Sequence, residues 1–215
     1  MDIFKKIKNN KGFTLVELIV VMLIMAIFSG VIYQLFITSN KYMRSIDELN
    51  DYQNITTDVI YQMRIELADC ADVETFLKTD TEADGTLKYD PANLGTQYGY
   101  IVTSPVVVNA DGTSTGGGAI IRGIALDGAG ATVRTADEVV GQVGSNRPYR
   151  LQISLRSSAT GEADVIVSVI RTDYKNPSTG NYEAKEAYTQ KTKIKLRSAK
   201  ASSGQEVLRY SIAKS

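Results

Sequence analysis

The chain has 215 residues, with 24 basic and 24 acidic side chains, no histidine, no tryptophan and a single cysteine. The absence of histidine removes the commonest general base and most zinc sites, and one cysteine excludes an intramolecular disulfide. A formal charge of zero supplies no bulk field to attract a polyanion.

The first twelve residues hold Asp2 and Lys5, Lys6, Lys8 and Lys11, a basic leader ending at Gly12. Residues 13–37 then form an apolar run whose one charge is Glu17. Some 25 residues at about 1.5 Å each span a hydrocarbon core of about 30 Å with some tilt. Lysines on the leading side predict a cytoplasmic amino terminus and an exported carboxyl-terminal bulk. An ordinary signal peptide should close on small residues at a cleavage site, yet this run passes through Ser29-Gly30 into further apolar residues.

Glu17 is the anomaly. A charge inside a membrane helix costs on the order of 2.5 to 3.5 kcal/mol on insertion scales, so it calls for a partner. Cleavage after Gly12 would supply one, because it frees an α-amino group on Phe13 that is largely protonated in neutral water. Pairing within one chain, or between neighbours offset along a common axis, are both open on this spacing; only the second builds a polymer.

The segment Lys11-Gly12-Phe13-Thr14-Leu15-Val16-Glu17-Leu18, followed by apolar residues 19–27, closely resembles the class III signal of type IV pilins and pseudopilins. The resemblance implies cleavage between Gly12 and Phe13 by a prepilin peptidase, which also N-methylates Phe13. It implies docking of Glu17 on the terminal amine of an adjacent subunit, with a membrane platform protein and an assembly ATPase as further partners. One departure is Gln34, where many relatives carry a helix-kinking proline; Gly30 lies one turn earlier. Without residues 1–12 the chain keeps 20 basic and 23 acidic residues.

Beyond the apolar run, Met43, Ile46, Leu49, Tyr52, Ile55, Val59, Met63 and Leu67 recur every three or four residues, one apolar helix face. No proline interrupts 13–67, so the helix is expected to continue through 38–69 and to lie on a domain formed by 70–215, a normal size for one core.

Residues 78–97 are turn-rich, with Asp84-Gly85, Asp90-Pro91 and Gly95. Within them Asp80, Glu82 and Asp84 stand at the alternate spacing of a calcium loop, but Pro91 occupies the place of the closing bidentate glutamate. The stretch reads as an acidic linker, with calcium as the alternative and no other metal or cofactor expected.

Extended segments follow at 98–108, 119–126 and 138–143, separated by glycine-rich loops. The clearest strand is 149–156, where Leu151, Ile153 and Leu155 alternate with polar residues, and 164–172 is apolar on both faces and so central. The last, 190–197, places Lys191, Lys193, Lys195 and Arg197 opposite Thr192, Ile194 and Leu196. That basic row reads as a solvated sheet edge that discourages pairing, with phosphate binding the alternative; nothing else suggests nucleic acid.

The expected fold class is α+β, a long helix laid on an antiparallel sheet, which is also what the resemblance implies. No phosphate-binding Gly-x-x-x-x-Gly-Lys loop occurs, and Gly116-Gly117-Gly118 lacks the strand and helix context of a nucleotide site, so no enzyme is expected. The reading is a structural filament subunit, favoured as a minor pilin because of its large, loop-rich head. Alternatives are a major pilin, a secretion or competence pseudopilin, or a membrane-tethered binding protein that never polymerises. The expected location is a single-pass membrane form, then a surface filament.

Overall fold

The structure is a computed structural model that describes residues 14–68, 70–89, 98–122, 124–127, 130–133, 138–144 and 146–212. The leader, Gly12, Phe13, Asp90-Pro91 and Gly95 lie outside the described residues.

Among the described residues, one helix, α1 (Leu15–Leu67), is followed by twelve strands: β1 (Cys70–Phe76), β2 (Gly99–Thr103), β3 (Val107–Val108), β4 (Ser114–Thr115), β5 (Ala119–Arg122), β6 (Ile124–Asp127), β7 (Gly130–Val133), β8 (Glu138–Val140), β9 (Tyr149–Ser158), β10 (Glu162–Arg171), β11 (Lys185–Lys195) and β12 (Val207–Ile212). The chain divides into two compact units, Met1–Glu48 and Leu49–Ser215. In the first, the described residues are helical from Leu15 onward, and their side chains are exposed all round. An apolar helix with no polar face belongs in lipid or in a bundle of its own kind.

The second unit is the globular head, built on an antiparallel five-stranded sheet in the order β1-β12-β2-β5-β8 and an antiparallel three-stranded sheet in the order β11-β10-β9. Helix residues Tyr52, Val59, Ile60, Met63 and Leu67 enter one apolar core with Ile153 and Leu155 of β9, Val165 and Val167 of β10, Ile121 of β5 and Leu208 of β12. The expected helix on an antiparallel sheet is therefore present, with the sheet divided in two. A reciprocal pair joins the halves: the Thr75 amide donates to Ser157 Oγ at 3.0 Å and the Ser157 amide returns a bond to Thr75 Oγ1 at 3.0 Å. Both residues are buried, so these bonds satisfy groups that water cannot reach.

The apolar helix stripe is buried only from Tyr52 onward; Met43, Ile46 and Leu49 are 62%, 56% and 43% exposed. Periodicity marks a face and does not say what covers it. The segment 98–108 is two strands rather than one, because Pro105 has no amide to donate and the chain turns there, with Ser104 bonding Gly118 and Gly117 bonding Ser104. Gly116, Gly117 and Gly118 all have positive φ, and a Cβ on Gly118 would stand 2.8 Å from the Val140 carbonyl oxygen. Residues 119–126 likewise divide between β5 and β6, and β11 begins at Lys185, five residues before the expected start.

Residues 77–89 cross the outer face of the five-stranded sheet as a strap. Its middle is a small hairpin closed by the Thr81 and Leu87 bridge, with Gly85 at φ 85° in the turn. Beneath lies a second apolar cluster of Phe76, Tyr100, Val102 and Val207, against which Tyr89 packs. Tyr89 meets Tyr100 edge-on at 5.5 Å between ring centres and receives a bond from Arg122 at 3.0 Å.

Candidate functional site

The start of α1 is set by Thr14, Glu17 and Leu18. Thr14 precedes the first helical residue, and the Leu18 amide bonds its carbonyl at 3.2 Å. The Thr14 amide donates to Glu17 Oε2 at 2.9 Å, the Thr14 hydroxyl reaches the same oxygen at 3.0 Å, and the Glu17 amide donates back to Thr14 Oγ1 at 3.3 Å. This is a reciprocal capping box, in which a Thr side chain and a Glu three residues on satisfy two amides that the helix leaves unpaired. The positive end of the helix dipole adds to the attraction for the carboxylate.

Glu17 thus has a local partner that the sequence reading did not include, although Thr-x-x-Glu before an apolar run announces it. The cap employs Oε2 and leaves Oε1 without a bond among the described residues. One carboxylate can therefore hold the helix start and still present an oxygen to a cation. Gly12 and Phe13, the expected processing residues, are not among the described residues.

Among the described residues α1 is the one helix long and apolar enough to cross a membrane. Residues 7–33 match the prokaryotic N-terminal methylation motif. The chain carries an amino-terminal methylation signal. No curated protein and no solved structure matches it. The motif ends within the apolar half of α1, and together the two support membrane anchoring through this helix.

The three acidic residues of the head with calcium-loop spacing each have a different partner. Asp80 accepts from the Leu77 amide at 3.1 Å and the Ser203 hydroxyl at 2.9 Å. Glu82 binds Arg209 at 2.7 Å. Asp84 accepts from the Thr86 hydroxyl at 2.7 Å and the Thr86 amide at 3.0 Å, and these bonds hold its carboxyl below the usual range. The same Asp-Gly-Thr turn recurs at Asp111 and Thr113. No group of three potential metal ligands occurs among the described residues.

Glu82 belongs to an ion cluster that holds the strap. Glu74 of β1 meets Lys88 at 2.6 Å and Arg209 of β12 at 2.9 Å, and the two cations lie 5.6 Å from the centre of the Phe76 ring. Burial of Glu74 is the largest single influence and favours its neutral form. The hydrogen bonds and charges of Lys88 and Arg209 together outweigh it, so the net shift is downward. Nothing in the spacing of Glu74, Lys88 and Arg209 marks this cluster in the sequence, since it needs the β1 and β12 pairing to exist.

Lys191, Lys193 and Lys195 are exposed on β11, an edge strand of the three-stranded sheet, with Ile194 buried; the strand ends at Lys195, so buried Leu196 and exposed Arg197 lie just beyond it rather than in the expected strand 190–197. Lys193 pairs with Glu162 at 3.0 Å, which raises the lysine pKa.

Proposed function

We propose that this chain is a structural subunit of a type IV pilus or related filament, cleaved after Gly12, methylated on Phe13 and polymerised through α1. The observation that carries this reading is the methylation motif at 7–33 leading into a capped helix whose first half is apolar and exposed all round. In the membrane the helix is held by lipid, and in a filament by its neighbours. Glu17 guides the exchange by offering an oxygen to the terminal amine of an adjacent copy. Other subunits, the prepilin peptidase, a platform protein and an assembly ATPase are the partners this requires. The large head, with its glycine-rich loops, favours a minor pilin at a tip or in initiation, and the location is first the membrane and then the cell surface.

Mass spectrometry of the protein from its native membrane tests the reading. N-methylated Phe13 as the first residue supports it, and an intact 1–12 leader in mature protein sinks it. The fraction of sheared-filament mass that this chain contributes separates a minor from a major subunit.

A further inference from the structure

The head has two oppositely charged surfaces that cannot meet within one molecule. Tyr52, Val59, Ile60, Met63 and Leu67 bury one side of the helix against the inner face of the two sheets. Asp51 and Asp58 are exposed, and no described residue pairs with either. Seven residues make almost two turns, so both carboxylates lie on one helix face, about 10 Å apart.

The basic row is on the other side of the three-stranded sheet. Ala163, Val165 and Ile194 are buried in the core, with Val165 paired to Thr192 and Ala163 to Ile194, so by alternation Lys191, Lys193 and Lys195 share the outer face with their partners Ile166, Asp164 and Glu162. Lys191 and Lys195 are exposed, have no described partner and stand about 13 Å apart along an extended strand. A groove of about 380 Å³ runs beside them, lined by Arg156, Asp164, Ile166, Lys191 and Lys193.

Resting on the filament reading above, we propose that the outer face of β11 is the docking surface for the acidic helix face of a second copy, with Asp51 and Asp58 set against Lys191 and Lys195. Charge complementarity selects this occupant. The spacings agree to within the reach of a lysine side chain, and Asp164 and Glu162 within the basic field disfavour a uniform polyanion such as nucleic acid. Because donor and acceptor surfaces occupy opposite sides of the sheet, the contact is heterologous: each copy leaves one surface of each kind open, which propagates a chain of subunits rather than closing a pair.

The test uses the full-length chain in its native host. Asp51→Lys with Asp58→Lys, and separately Lys191→Glu with Lys195→Glu, should each lower the amount of chain in sheared filaments by about tenfold, since like charges then face one another across the contact. The amount of processed chain in the membrane should stay the same. All four substitutions in one chain restore the complementarity in reverse and should return incorporation to near the wild-type level. Equal incorporation of either reversed pair overturns the proposal, as does a fourfold variant no better than the pairs. Loss of DNA retention by the Lys191→Glu, Lys195→Glu chain with incorporation unchanged overturns it in favour of nucleic acid. A wild-type chain that is inserted but never found in filaments overturns the filament reading and this contact with it.

Discussion

The Thr56 hydroxyl lies 2.7 Å from the side-chain oxygen of Gln190, joining the middle of the head's helix to its edge strand across 134 residues of sequence. Thr56 is fully buried and its hydroxyl also lies 2.8 Å from the Tyr52 carbonyl, so this contact fixes the helix along its axis as apolar packing cannot. Thr56→Val keeps the shape and removes the donor, leaving the Gln190 oxygen without that partner. The expected loss is about 1 to 3 kcal/mol in denaturant unfolding of the full chain in detergent. Thr56→Val combined with Gln190→Leu should recover much of it, and a double variant weaker than the sum of the singles would contradict this account.

Glu17 has two roles that one pair of substitutions separates. Glu17→Gln retains an oxygen for the Thr14 amide and hence the cap, but has no charge; Glu17→Ala loses both. If the charge guides docking, both variants insert in the membrane and both enter filaments poorly. If the cap is the operative feature, Glu17→Gln polymerises normally and Thr14→Ala fails, with a cap worth about 0.5 to 2 kcal/mol. Counting subunits in sheared filaments distinguishes these outcomes.

The strap should be stable at neutral pH and weaken in acid. Glu74 titrates below its unfolded value, so its contribution is complete above an unfolded glutamate pKa of about 4.3 and is lost as pH falls through the lower folded value. Protease cleavage within 77–89 should therefore be flat from pH 7 to about 5 and rise below about 4. Arg209→Met, which leaves Glu82 and Glu74 without the guanidinium, should produce similar cleavage at neutral pH. Cleavage that ignores both acid and this substitution would show that the strap is held by something else.

Gly99 marks a close approach of β2 to an aromatic ring. A Cβ there would stand 2.3 Å from Cζ of Tyr210, which is 1% exposed and donates its hydroxyl to Glu66 at the end of α1. The ring cannot move away without giving up that bond. Gly99→Ala should cost about 1 to 3 kcal/mol, as overpacked cores do, read as a lower melting temperature. Tyr210→Leu in the same chain should relieve part of the strain.

The sequence was most readable where one side of an element was dry and the other wet. In β9, Leu151, Ile153 and Leu155 alternate with partly or fully exposed residues, and the strand is where alternation placed it. The apolar stripe runs as far as Leu67, the last residue of α1. Two strands gave no such signal. In β12, Leu208 and Tyr210 enter the main core while Val207 enters the cluster beneath the strap, so both faces are covered and alternation vanishes. In β1 the left-handed residue Asp72, at φ 52°, breaks the register between Ala71 and Glu74 and disrupts the period as well. For the site, Glu17 stands out as the one charge in an apolar run, and Thr14 is legible only through the Thr-x-x-Glu spacing of its cap. The ion cluster of Glu74, Lys88 and Arg209 is a product of tertiary pairing and has no local trace.

Charge, rather than its own aliphatic side chains, does much of the fastening of the strap: Leu77 and Leu87 remain 40% and 55% exposed. A cover held this way opens by local fluctuation at less cost than unfolding the head, so the amides around Glu82 and Gly85 should exchange with deuterium ahead of those in β9 and β10. Each opening bares Phe76, Tyr100, Val102 and Val207. In a crowded fibre, where neighbouring heads sit at very high local concentration, Glu74, Lys88 and Arg209 then guard against adhesion between the wrong surfaces as well as stabilising one fold.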